Sequence, residues 1–193
     1  MNLPNKITVL RIILTFVFMF FLFCKGFWPK AISLVIFIIA AITDFYDGWL
    51  ANKNNMVTDF GKLMDPFADK ILLLAAFAAF VQMQLVEAWM FIIILARELL
   101  VTSLRLFALL NKGKVLSASK SGKHKTAFQM FAVFIILGFI VLKEAMLRFY
   151  TWNPAWEKIF RQGVYIMMFI AVILTINSGF RYLWKNRKII TSV

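Results

Sequence analysis

An all-α fold, a polytopic membrane bundle of six transmembrane helices with a short N-terminal interfacial segment, is what this sequence predicts. Three observations carry the prediction. Apolar residues make up 62% of the chain, against about 45–50% in ordinary soluble domains. They fall in long runs separated by short polar, Gly- or Pro-containing links, the pattern of membrane spans. Basic residues outnumber acidic ones by 22 to 9, and most of them sit on the side of the bundle that would hold both termini.

The elements follow in order. Met1 to Lys6 is a polar start containing Pro4. Helix one is expected from Ile7 to Phe27, too long for a signal peptide and without a small-x-small cleavage site. Lys25-Gly26 and Trp28-Pro29-Lys30 predict a tight turn. Helix two is expected over Ala31–Asn52, and Lys53 to Thr58 is a polar link. Asp59 reads as a loop or cap carboxylate. Asp65 caps helix three, with Pro66 in its first turn, where a missing N–H costs nothing; that helix runs to Leu85. Helix four spans Ala88–Leu110 and contains Arg97, Glu98 and Arg105. Neighbours in sequence, Arg97 and Glu98 do not share a helical face, whereas Glu98 and Arg105 do. Asn111 to Lys125 is the most basic loop, with Gly113 and Gly122 as breakers. Helix five covers Thr126–Leu147, Tyr150 to Pro154 is a turn, and helix six covers Ile159–Trp184.

Six spans place both termini on one side, and the basic bias makes that side the cytoplasm. Residues 1–193 read as one membrane domain. In so apolar a chain the positive charge points to anionic lipid and phosphorylated substrates, and away from nucleic acid. Cys24 is the single cysteine, so no disulfide forms within the chain.

The chemistry concentrates in two segments: Asp44-Phe45-Tyr46-Asp47-Gly48-Trp49-Leu50-Ala51, and Gly61-Lys62-Leu63-Met64-Asp65-Pro66-Phe67-Ala68-Asp69. On helices, acids three and four apart share a face, and Gly48 and Ala51 leave room beside them. A carboxylate at bilayer depth costs roughly 2.5–3.5 kcal/mol. Four of them call for compensation, either by water and lysine at a wet helix end or by a hard divalent cation such as Mg²⁺ or Mn²⁺. Their clustering on two helices at one side argues for a site and against the path of a cation transporter.

The spacing D-x2-D-G-x2-A-x9-G-x3-D-x3-D resembles the signature of the CDP-alcohol phosphatidyltransferases. That pattern has Arg after the Ala; this chain has Asn52. The departure bears on one nucleotide contact and keeps a non-catalytic paralogue in view. The resemblance implies Asp44, Asp47, Asp65 and Asp69 as ligands of Mg²⁺ or Mn²⁺, in two ions. It further implies Asp69 as general base, and Gly48, Ala51 and Gly61 beside CDP-diacylglycerol.

Three further stretches resemble the bacterial phosphatidylglycerophosphate synthases of that family. One is the N-terminal P-N-x-x-T-x-x-R, with Asn5, Thr8 and Arg11. Those three residues form a polar stripe, either an interfacial anchor with a snorkelling cation or a face toward the nucleotide-lipid diphosphate. The second is Thr102-Ser103-Leu104-Arg105, where Arg105 either clamps the acceptor phosphate or pairs with Glu98. The third is Gly122-Lys123-His124-Lys125-Thr126, where Lys123 and Lys125 either bind that phosphate at a helix N-terminus or touch anionic lipid. His124 is a spacer there. Arg181 is a further candidate for the phosphate. The resemblance thus implies phosphatidyl transfer from CDP-diacylglycerol to glycerol 3-phosphate, at the cytoplasmic face of the inner (plasma) membrane, by a chain able to pair as a homodimer. Phosphatidylglycerol, serine or an inositol phosphate are the rival acceptors.

Overall fold

Six α-helices form in chain order: α1 (Leu3–Phe23), α2 (Phe27–Asn54), α3 (Asp59–Gln82), α4 (Ala88–Lys112), α5 (Lys120–Phe149) and α6 (Pro154–Lys185). The computed structural model describes residues 3–54, 59–112 and 120–187, with side chains at 9–43, 70–108, 122 and 124–187. Among the described residues there is no strand.

The helix starts differ from expectation, each for a local reason. α1 begins at Leu3. Pro4 is compatible with a first turn, so Leu3 to Lys6 of the segment expected to be separate and interfacial belong to the helix. The α1–α2 turn is shorter than Trp28-Pro29-Lys30 suggested. Cys24 to Gly26 make it, with Gly26 at φ 98°, a conformation that favours glycine, and Trp28, Pro29 and Lys30 join the first turn of α2. Lys30 is buried, and its Nζ donates to the Leu22 carbonyl, one of the orphan acceptors at the end of α1.

α3 begins at Asp59 and not at Asp65. An acid at that end suits the helix dipole. Pro66 therefore lies inside the helix and removes one N–H from its ladder. α3 closes with Gln84 at φ 55°. The Gln84 N–H donates to Val81 O and the Leu85 N–H to Phe80 O, both at 2.9 Å, the paired bonds of a Schellman end. α5 starts at Lys120, so Gly122 does not break it. The Thr126 hydroxyl donates to the Gly122 carbonyl at 3.1 Å. α6 starts at Pro154. Asn153 caps it through Oδ1, which accepts from the Ala155 N–H at 2.9 Å.

Two compact units make up the chain: Met1–Ala79 with Val133–Glu157, and Phe80–Ala132 with Lys158–Val193. In the first, Phe37 of α2 packs its ring against Phe18 of α1 at 5.4 Å and against Phe134 of α5 at 5.2 Å. Lys143 and Glu157 form an ion pair at 2.9 Å. In the second, Met90, Ile94 and Val101 of α4 and Val164, Met168 and Val172 of α6 are buried. There Trp89 meets Phe169 at 6.4 Å.

Large apolar side chains line the outward faces of the helices. Ile13, Phe16 and Phe20 on α1, Val35, Ile39 and Ile42 on α2, and Ile166, Ile170 and Ile173 on α6 are all exposed. Their i, i+3, i+7 or i, i+4, i+7 spacing makes each set a continuous stripe along its helix. Monomers in water rarely carry such stripes, and a bilayer solvates them. His124–Phe149 and Pro154–Lys185, at 26 and 32 residues, are long and apolar enough to cross one. The other apolar stretches among the described residues are shorter: Val9–Phe23, Phe27–Thr43 and Lys70–Gln82.

Candidate active site

The acids expected to bind metal all belong to helices. α2 carries Asp44, Asp47, Gly48 and Ala51 toward its C-terminal end, and α3 carries Gly61, Asp65 and Asp69 toward its N-terminal end. Helical backbone at both places satisfies the premise that residues three and four apart share a face. The side chains of all four aspartates, and of Asn52, lie outside the described residues, as do those of Asn5 and Thr8 on α1.

Arg11 of the N-terminal stripe is described, and it is 3% exposed. A snorkelling cation keeps its head in water, so Arg11 is not an interfacial anchor of that kind. The Thr15 hydroxyl donates to its carbonyl at 2.9 Å, the i−4 bond that a mid-helix threonine makes. Burial of a guanidinium at this depth is retained where it meets acids or a bound anion.

The second unit gathers the other charged group. α4 supplies Arg97, Glu98 and Arg105, α5 supplies Lys125, and α6 supplies Ser178 and Tyr182. Lys125 and Glu98 form an ion pair, with side chains 1% and 5% exposed. Arg97 also reaches Glu98, its Nη1 standing 3.3 Å from both carboxylate oxygens. Adjacent residues diverge by about 100° around a helix, yet the long arginine bridges that angle. Arg97 Nη2 donates to Ser178 Oγ at 2.8 Å. Gly179 permits the approach of α4: a Cβ there would lie 3.1 Å from Arg97 Cγ.

Arg105 is half-buried, with its guanidinium 5.5 Å from the centre of the Tyr182 ring. It faces Tyr182, while the carboxylate of Glu98 is held by Lys125 and Arg97. Arg97 Nε, Arg105 Nε and Tyr182 Oη are buried with no hydrogen-bond partner among the described residues. Buried donors of this kind ordinarily find acceptors. Among the described residues three cations stand around one carboxylate, a charge balance suited to a multiply charged oxyanion. One turn further along, Gln129 Nε2 donates to Thr175 Oγ1 at 3.1 Å, and Thr175 donates to the Ala171 carbonyl at 2.6 Å, so α5 and α6 are joined by a polar contact inside an apolar core.

Of the expected acceptor residues, Arg105 and Lys125 fall in this group. Lys125 is buried and lies within α5, not in a loop. The Lys123 side chain lies outside the described residues, and Arg181 and His124 are exposed. Arg97, Ser178, Gly179 and Tyr182 were not among the expected site residues. Their signal was present in the chain: an ionisable pair inside an apolar helix, and a Ser-Gly step inside another, where small residues let helices approach.

A family model described as CDP-alcohol phosphatidyltransferase matches residues 1–177. A Bacillus subtilis protein is 38% identical, over 96% of this chain and 95% of its own length. A Rickettsia felis protein is 39% identical over 70% of this chain and 75% of its own. A Rickettsia bellii protein is 35% identical over 97% and 96%. Each of the three bears the name CDP-diacylglycerol–glycerol-3-phosphate 3-phosphatidyltransferase.

Proposed function

The chain belongs to the CDP-alcohol phosphatidyltransferase family, and from that membership we propose that it transfers a phosphatidyl group from CDP-diacylglycerol to sn-glycerol 3-phosphate, releasing CMP. The observation that carries the choice of acceptor is similarity along nearly the whole chain to proteins named for that reaction. The buried cations of α4 and α5 agree with a phosphorylated acceptor.

In this reading an acceptor hydroxyl attacks the lipid-bearing phosphorus of the donor. The new P–O bond forms as the bond to CMP breaks, and Asp69 takes the hydroxyl proton. Asp44, Asp47, Asp65 and Asp69 offer an all-oxygen donor set on two helices, which fits Mg²⁺ or Mn²⁺. Bound there, such ions would supply positive charge to the diphosphate and to the departing CMP. Gly48, Ala51 and Gly61 leave the backbone open to cytidine and diphosphate. Asn5, Thr8 and Arg11 face the donor's phosphates. Arg105, Lys123, Lys125 and Arg181 bind the acceptor phosphate. The bundle crosses the inner (plasma) membrane six times as one domain, with both termini and the site cytoplasmic and with lipid-facing stripes such as Ile13, Phe16 and Phe20. A homodimer is part of the same proposal.

The test is direct. Purified protein receives CDP-diacylglycerol, Mg²⁺ or Mn²⁺, and glycerol 3-phosphate, phosphatidylglycerol, serine or an inositol phosphate in turn. CMP release with glycerol 3-phosphate well above the other acceptors is expected; release with another acceptor alone would reassign the reaction.

Asn52 gives a second measurement. It stands where the family pattern has Arg, beside the donor site on α2. Asn52→Arg restores a cation able to make a charge-assisted bond to phosphate. The expected result is a fall in KM for CDP-diacylglycerol of about threefold to tenfold, with KM for glycerol 3-phosphate unchanged. An unchanged or higher KM for the donor would mean that another residue already fills the role.

A further inference from the structure

We propose that Glu98 is the positioning residue of the acceptor site. Its carboxylate holds Lys125 and Arg97 in register, and Ser178 and Gly179 of α6 complete the seat of Arg97. The inference rests on the reading of this cluster as the acceptor-phosphate site, and it adds residues that the reaction itself does not name.

An ionised carboxylate buried to this degree is expensive, and a hydrophobic pair of similar volume would serve a purely structural helix contact as well or better. Glu98 is nevertheless buried, and among the described residues it meets cations from two helices, Lys125 of α5 and Arg97 of α4. Two further features have no use in a simple helix–helix ion pair. Ser178 takes the second terminal nitrogen of Arg97, at 2.8 Å. Gly179 removes the side chain that would press on the arginine stem. Together they fix the guanidinium plane from three sides: carboxylate, hydroxyl and bare backbone.

What is left over points to the ligand. Both terminal nitrogens of Arg97 have partners in the protein, but its Nε has none among the described residues, and neither do Arg105 Nε and Tyr182 Oη. Ser178 and Tyr182 are four residues apart on α6 and so lie on one face. Arg97 meets the first at 2.8 Å and Arg105 sits over the ring of the second. The residues that hold the arginines thus also align them along one stretch of α6. A phosphoryl group has oxygens enough to accept from several such donors. Glu98 does not contact that anion. It keeps two cations from repelling each other out of place, and so sets where the donors point.

The experiment compares wild type with Glu98→Gln, Glu98→Asp, Ser178→Ala and Gly179→Ala. CMP release is titrated against glycerol 3-phosphate at saturating CDP-diacylglycerol, and the reverse, and each melting temperature is recorded. Glu98→Gln and Gly179→Ala are expected to raise KM for glycerol 3-phosphate about tenfold or more, with KM for CDP-diacylglycerol changed by less than about twofold. Ser178→Ala raises the same KM about threefold, and Glu98→Asp recovers part of the loss. Gly179→Ala is the sharpest arm. It alters no charge, and alanine favours helix over glycine, so its effect cannot come from a weakened α6. An unchanged KM for glycerol 3-phosphate in a folded Gly179→Ala or Ser178→Ala protein would overturn the proposal, even if Glu98→Gln fails to fold. So would an equal rise in both KM values, or a fall in kcat alone. If wild type prefers another acceptor, the acceptor reading fails, and the same KM split measured with that acceptor still decides the role of Glu98.

Discussion

Asp44→Asn, Asp47→Asn and Asp65→Asn are each expected to lower CMP release at least about a hundredfold while leaving a folded, membrane-inserted protein. The exchange keeps shape and volume and removes one negative charge. A metal–oxygen contact to a charged phosphoryl group stabilises the transition state by several kcal/mol, and each 1.36 kcal/mol is tenfold in rate. Loss of one carboxylate from an all-oxygen set removes most of that term. Asp69→Asn should be no milder, since it also removes the proposed base. The fold should survive, because a carboxylate at bilayer depth is a cost to the folded chain and not a support. EDTA should reproduce the loss in wild type, with recovery on adding Mg²⁺ or Mn²⁺. Mn²⁺ should raise the melting temperature of wild type and not of the Asp65→Asn protein. Near-normal release in EDTA would remove the metal from the mechanism.

Lys125→Ala is expected to lose stability and acceptor affinity together, whereas Arg105→Ala loses acceptor affinity alone. Lys125 is buried against Glu98, and removing one member of such a pair leaves a buried charge short of compensation, at a cost of about 3–5 kcal/mol. For a chain of this size that is a fall in melting temperature on the order of 10 °C. Arg105 is half-buried and lies over the Tyr182 ring, a contact of about 0.5–2 kcal/mol. Both substitutions, and Lys123→Ala, should raise KM for glycerol 3-phosphate about tenfold or more and spare that for CDP-diacylglycerol. A Lys125→Ala protein with wild-type melting and a raised KM would mean that the lysine leaves Glu98 for the substrate. Equal weakening of both substrates by Arg105→Ala would make the cluster a lipid head-group site.

The chain alone determined the α-helical class, the approximate place of all six helices, and the aspartate signature with its family. Those properties are local or periodic. Apolar runs, Gly26 at a turn and acids at fixed spacing each act within a few residues, so they can be read in a line of letters. Helix starts were less legible. Pro29, Gly122 and Pro154 carry the same breaker signal, yet Pro29 and Pro154 enter first turns and Gly122 continues α5. Whether a proline opens a helix or precedes it depends on the cap before it, as Asn153 shows.

Only the tertiary structure decided the partners of the buried charges. Sequence spacing put Arg105 on the same face as Glu98, seven residues on, and left it either to that carboxylate or to the acceptor phosphate. In the folded chain Lys125 arrives from α5, Arg97 bends back along its own helix, and Ser178 and Gly179 receive it on α6. Arg11 likewise could be an anchor or an inward cation until its burial was seen. Which cation wins a carboxylate depends on which helices adjoin, and that depends on every apolar contact in the core. No window of sequence holds that information, because charges in a low-dielectric interior choose partners by distance in space and not along the chain.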